Sequence, residues 1–202
     1  MKKSKKILIT LIIIVILSII GMLLYNYFTS DEPKEVKTIK SISEYGYELK
    51  ENETKLYKDE FDNLDKILSK KEVDYEEYAK AISKLFIIDF YTLDNKLSKN
   101  DIGGIEFIKE SMRDNFIEEA RSTFYKYLEV KSDSRNQNLP EVSQIDSVYV
   151  TKTEFKYSDK TIEENAYKVT ISWDYKEDYG YEKEANMIIV KDDKKLYIVE
   201  MD

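Results

Sequence analysis

The run from Ile7 to Phe28, ILITLIIIVILSIIGMLLYNYF, contains no charged residue. It restricts this chain more than any other stretch. Its 22 residues would extend roughly 33 Å as a helix, enough to cross a hydrocarbon core of about 30 Å. Four lysines precede it in MKKSKK, and Tyr25, Tyr27 and Phe28 close it where an interfacial aromatic belt would sit. A cleaved signal peptide would have a shorter apolar stretch and small residues at the cleavage point, whereas YNYFTSDEP offers bulky aromatics. The expectation is a membrane-anchored chain with a cytoplasmic basic tail (1–6), a transmembrane helix (7–28), a stalk or lead-in (29–52) and an external domain (53–202). Lysines on the inner side place the C-terminus outside the cell.

Charge divides along the same line. The chain carries −8 and its first six residues carry +4. Residues 7–30 carry none, so the part from Asp31 onward carries −12. So acidic a module is a poor partner for nucleic acid, where phosphate contact needs cations. Cysteine and histidine are both absent. That removes disulfides, thiolate metal sites, the commonest transition-metal ligand and every Ser-His-Asp or Cys-His mechanism. No cofactor or metal is expected, and the chain reads as a non-enzyme.

Beyond the lead-in, where YGYEL (Tyr45 to Leu49) could form a short extended piece, the apolar period is helical. Tyr57, Phe61, Leu64 and Leu68 mark one face of a first helix. Asp74 and Glu77 resemble a capping box for a second, whose stripe is Tyr78, Ala81, Ile82, Leu85 and Phe86. A third is expected from about Ser111, with Met112, Phe116, Ala120, Phe124 and Leu128 at four-residue spacing. KSDSRNQNLPEVS then reads as a loop. After it the period becomes two. Tyr167, Val169, Ile171, Trp173 and Tyr175 alternate with Lys168, Thr170, Ser172 and Asp174, the clearest strand in the chain. Tyr149, Phe155 and Tyr157 are in step on a strand before it, and EANMIIVKDDKKLYIVEM reads as a hairpin turning at Asp192 and Asp193. Helices first and strands afterwards predict an α+β fold, with about three helices on a four-stranded antiparallel meander.

This order of elements, held outside by one N-terminal span, resembles the NTF2-like superfamily. The layout is similar to the VirB8-type and TcpC-type components of bacterial conjugation and secretion machines. It also resembles membrane-anchored proteins of low-GC Gram-positive bacteria, on the segment IDFYTLDNKLSKNDIGG. The resemblance implies an external domain that binds other envelope proteins or itself, in a secretion, conjugation or wall-associated assembly. It carries over no functional residue.

Three places bear on chemistry. Asp89 falls about 20° from Tyr78 around the second helix, inside the apolar stripe. A carboxylate there is hydrogen-bonded or shifted in pKa. Its alternatives are a structural acid near a helix end, held by a tyrosine or by backbone N–H groups, and a general base in a lyase, isomerase or small-ligand pocket. Gly103 and Gly104 follow in a chain with five glycines. They match neither the phosphate-loop nor the calcium-loop pattern and read as a turn or hinge. Tyr179 and Tyr181, in DYGYE, are interaction candidates on a loop, or a glycan-binding face together with nearby aromatics.

Overall fold

The structure is a computed structural model that describes residues 15–22 and 36–202. Residues 15–22 are helical with exposed side chains. The rest of the apolar run Ile7–Phe28, and with it the anchor, the basic tail and the start of the stalk (29–35), lies outside the described residues. Among the described residues, no helix is long and apolar enough to cross a membrane. The chain divides into a unit ending at Lys34 and a folded unit, Glu35–Asp202.

The folded unit is α+β. It runs β1 (Thr38–Ile42), β2 (Tyr47–Lys50), α1 (Lys55–Leu68), α2 (Tyr75–Tyr91), α3 (Arg113–Ser122), β3 (Val142–Lys156), β4 (Ile162–Tyr175), β5 (Glu184–Asp192) and β6 (Lys195–Met201). Two single-turn 3-10 segments, Ile105–Phe107 and Glu110–Met112, precede α3. The last four strands form the expected antiparallel meander in the order β3-β4-β5-β6. The β5–β6 turn has Asp193 at φ +55°, a left-handed position that aspartate tolerates.

Local chemistry explains the helix boundaries. Thr54 caps α1 by accepting from the Tyr57 N–H, and Tyr57, Phe61, Leu64, Ile67 and Leu68 are buried along one side. Asp74 caps α2 by accepting from the N–H groups of Glu76 (3.0 Å) and Glu77 (3.2 Å). The Glu77 carboxylate turns to Lys80 (2.6 Å). The apolar stripe expected on α2 widens in its second half, where Leu85, Phe86, Ile87, Ile88, Phe90 and Tyr91 are all buried. Such a helix is enclosed on nearly every side, here by α1, β3 and β4.

Two expectations are corrected. The third helix does not continue to Leu128. It ends at Ser122, because Thr123 leaves helical geometry (φ −116°, ψ −96°) and its hydroxyl donates back to the Glu119 carbonyl at 2.7 Å. The turn that follows swings Tyr125 into the core, fully buried. Tyr149 is 67% exposed although it is in step with Phe155: it faces away from the main core, opposite Thr170, on the side of the sheet where Phe155 and Tyr157 pack against Ala166 and Val190. The lead-in is not a bare stalk from residue 36 onward. β1 and β2 pair antiparallel and bury Ile42, Tyr45, Tyr47 and Leu49 in the main core. The Tyr47 hydroxyl meets that of Tyr78 at 2.7 Å, joining the hairpin to α2.

The folded module therefore needs its hairpin. Burial of four such side chains contributes roughly 1.5–3 kcal/mol each, against a typical domain stability of about 5–15 kcal/mol. A fragment spanning 36–202 is expected to unfold cooperatively in urea, and one spanning 53–202 to lose that transition, as followed by fluorescence of the single tryptophan.

Candidate functional site

Two features could do chemistry or recognition. The first is a polar knot around the segment that follows α2. Asp89, 14% exposed in its side chain, forms an ion pair with Lys96, which is 4% exposed. Its second carboxylate oxygen accepts from the Gly104 N–H at 2.6 Å. Tyr125 does not reach Asp89 but bonds the backbone beside it. Its hydroxyl donates to the Phe90 carbonyl (2.7 Å) and accepts from the Gly103 N–H (3.1 Å).

The two glycines are required for different reasons. A Cβ on Gly103 would collide with the Asp89 carbonyl oxygen. Gly104 has φ +76°, and a Cβ there would come within 2.6 Å of the Phe86 ring. Both therefore serve close approach of the loop to α2.

The knot extends to the hairpin side. Asn95 donates to the Glu53 carboxylate (3.2 Å) and to the Asn52 carbonyl (3.3 Å), and Asn52 donates back to the Asn95 carbonyl (3.2 Å). Glu106 accepts from the Tyr57 hydroxyl (3.0 Å) and the Glu48 N–H (3.1 Å). Burial pushes Glu53 up to about 7, the Asp89 charge adds to the rise, and Lys96 opposes it. Burial likewise pushes Glu106 up to about 7, against the bonds from Glu48 and Tyr57. Burial pulls Lys96 downward, but the carboxylates of Asp89 and Glu53 outweigh it and hold the ammonium above its ordinary range.

The second feature is a cleft of about 560 Å³ between α2, α3 and β6. Five aromatic residues, Phe86, Phe90, Tyr91, Phe116 and Phe124, line it. Phe90 is the hub, with ring centroids 5.4 Å from Phe86 and Phe116 and 5.5 Å from Phe124. Behind the wall, Tyr91 meets Trp173 at 4.8 Å. Glu119, Glu182 and Glu200 supply the charge at the cleft.

The sequence candidates are distributed between these features. Asp89, Gly103 and Gly104 meet in the knot, and none of them lines the cleft. Tyr179 and Tyr181 lie on the β4–β5 loop, 39% and 36% exposed. Tyr179 donates to Glu177 at 2.6 Å. Tyr181 packs edge-on against Phe124 at 5.4 Å, beside the cleft. Sequence reasoning did not single out Lys96, Glu53, Glu106 or the cleft glutamates. For Lys96 the signal was a lysine seven residues beyond an acid already placed on an apolar face. Among the described residues, no group of three or more carboxylates could hold a metal ion. No family model, no curated protein and no solved structure matches the chain.

Two predictions follow from the knot. Asp89→Asn strands a buried ammonium and is expected to cost about 3 kcal/mol in urea unfolding. Adding Lys96→Met should restore part of that loss, because a neutral buried pair carries no uncompensated charge. The second concerns pH. Glu53 and Glu106 sit near 7 in the folded chain, above their ordinary 4.5. The folded state thus binds more protons than the unfolded state between those values. Their contribution is complete below about pH 4.5 and is lost as pH rises through about 7. Stability should fall by on the order of 2–4 kcal/mol between pH 5 and pH 8. Glu53→Gln and Glu106→Gln should each flatten the slope. Lys195, held down to about 8 by burial, gives the opposite slope only above that pH.

Proposed function

We propose that this chain is a membrane-anchored, extracytoplasmic protein-interaction module, a non-catalytic part of a cell-envelope assembly of the secretion, conjugation or wall-associated kind. Its N-terminus would lie in the cytoplasm, residues 7–28 in lipid and the NTF2-like domain outside, bound to other envelope proteins or to itself. The uncharged run behind four lysines and the acidic module beyond it support that placement. The observation that carries the choice of binding over turnover is the separation of groups from cavity. The candidate base, Asp89, is engaged by Lys96 and the Gly104 N–H, and it does not line the aromatic cleft. A general base must come within hydrogen-bond reach of its substrate inside a pocket. What the cleft offers is apolar surface with carboxylates, the composition of a recognition site.

Crosslinking in intact cells tests the reading. The full chain is expected in adducts larger than the monomer, and protease added outside should remove the folded module. Recovery of uncrosslinked monomer alone, or a module shielded until lysis, would overturn it.

A further inference from the structure

We propose that the cleft between α2, α3 and β6 receives a basic amphipathic segment of a partner protein, its apolar side chains against the aromatic wall and its cations against Glu119, Glu182 and Glu200. This deepens the interaction-module reading and rests on it.

Charge complementarity selects the occupant. All three glutamates are exposed, and none enters an ion pair among the described residues. The lining contains no lysine or arginine. Two lysines nearby in sequence are engaged elsewhere, and neither Arg113 nor Arg121 lines the cleft. Lys183, next to Glu182, bridges Asp174 (3.1 Å) and Asp178 (2.9 Å). Lys109 pairs with Asp192 (3.4 Å) and lies over the Tyr157 ring. Arg113 donates from Nε to the Ile108 carbonyl at 3.1 Å. The mouth thus keeps uncompensated negative charge over apolar walls. An acidic or neutral apolar ligand would leave that charge unanswered, while a cation beside aromatic faces gains from both carboxylate and ring quadrupole.

The size suits side chains of a helix or strand. The cleft volume lies within the usual range of about 300–1,000 Å³ for a specific site. Its lining comes from α2, α3 and the terminal part of β6. An amphipathic segment lays its apolar face into such a groove and leaves its polar flank at the rim. Tyr181, packed on Phe124, brings the β4–β5 loop and Glu182 to the same mouth.

The test uses the full chain in phosphatidylcholine nanodiscs, with empty discs as the blank. A fluorescently labelled 18-residue leucine–lysine peptide is titrated by anisotropy, beside a leucine–glutamate peptide of the same apolar pattern. The leucine–lysine peptide is expected to bind and the leucine–glutamate peptide not to bind. Removing the three charges in E119Q/E182Q/E200Q should weaken binding about tenfold, and added salt should weaken the native chain more than the triple variant. Asn115→Arg, which puts a cation on an exposed position of the lining, should abolish binding without touching the core. Equal binding of both peptides, or an affinity indifferent to the triple variant and to Asn115→Arg, overturns the proposal. Saturable, glutamate-dependent binding of dodecyltrimethylammonium without peptide binding overturns it in favour of a small amphiphile. Crosslinked adducts that persist in Asn115→Arg would remove this docking site while leaving the interaction module intact.

Discussion

The Asp89 carboxylate holds together three parts of the chain that sequence order keeps apart. One oxygen takes the Lys96 ammonium and the other takes the Gly104 N–H at 2.6 Å. Residues 92–104 are thereby folded back onto the end of α2, close enough that only glycine fits at 103 and 104. From there the chain enters the 3-10 turn Ile105–Phe107, and Ile108 forms a parallel bridge with Ile198 of β6. The helical layer and the edge of the sheet are therefore joined through a connection whose geometry Asp89 sets. A buried ion pair is weak evidence for net stability, because desolvation opposes the Coulomb gain. Its consequence here is positional: it fixes where the chain leaves α2.

That exit determines the cleft. Ile108 is tied to β6 shortly before α3 begins, and the cleft opens over Phe86, Phe90 and Tyr91. The β5–β6 pairing also shifts register between Ile188 and Ile189, which re-aims the last residues of β6. Ile198 through Met201 all reach the cavity, an unusual run for a strand that would otherwise alternate faces. The two carboxylates whose pKa values burial raises, Glu53 and Glu106, lie by Asn95 and Tyr57, and neither lines the cleft.

Much of this was readable from spacing alone. The two-residue period over Tyr167–Tyr175 places Val169, Ile171, Trp173 and Tyr175 in the core, because β4 is a central strand flanked on both edges. The α1 stripe was equally legible, since that helix is buried on one side only. The failures have local causes. Tyr149 keeps step with Phe155 but is exposed, because it sits opposite Thr170 on the side of the sheet away from the main core, and a period of two does not say which face is covered at each point. Phe124 and Leu128 fit a helical spacing by coincidence, since the helix ends at Ser122 and a turn delivers Tyr125 and Leu128 to the core. The strands at Thr38–Ile42 and Tyr47–Lys50 were masked by their polar residues, because only Ile42, Tyr45, Tyr47 and Leu49 need burial to dock a two-stranded hairpin. Lys96 was hidden for a further reason. A buried lysine is readable only together with its counter-charges, which come from residues 89 and 53.

Solubility alone does not account for how the acidic charge is arranged. Many lysines of the module are committed to short ion pairs. Lys40 bridges Asp62 and Asp65, Lys183 bridges Asp174 and Asp178, and Lys176 meets Glu141 at 2.7 Å. Exposed pairs of this kind add little to stability, but they cancel field locally. The cleft glutamates are left outside that cancellation, over low-dielectric aromatic walls that screen charge less than water does. A surface whose excess negative charge is focused at an apolar opening steers cations toward it. In the proposed membrane-tethered arrangement the search for a partner would be confined to a thin layer, and such steering would act on the encounter step.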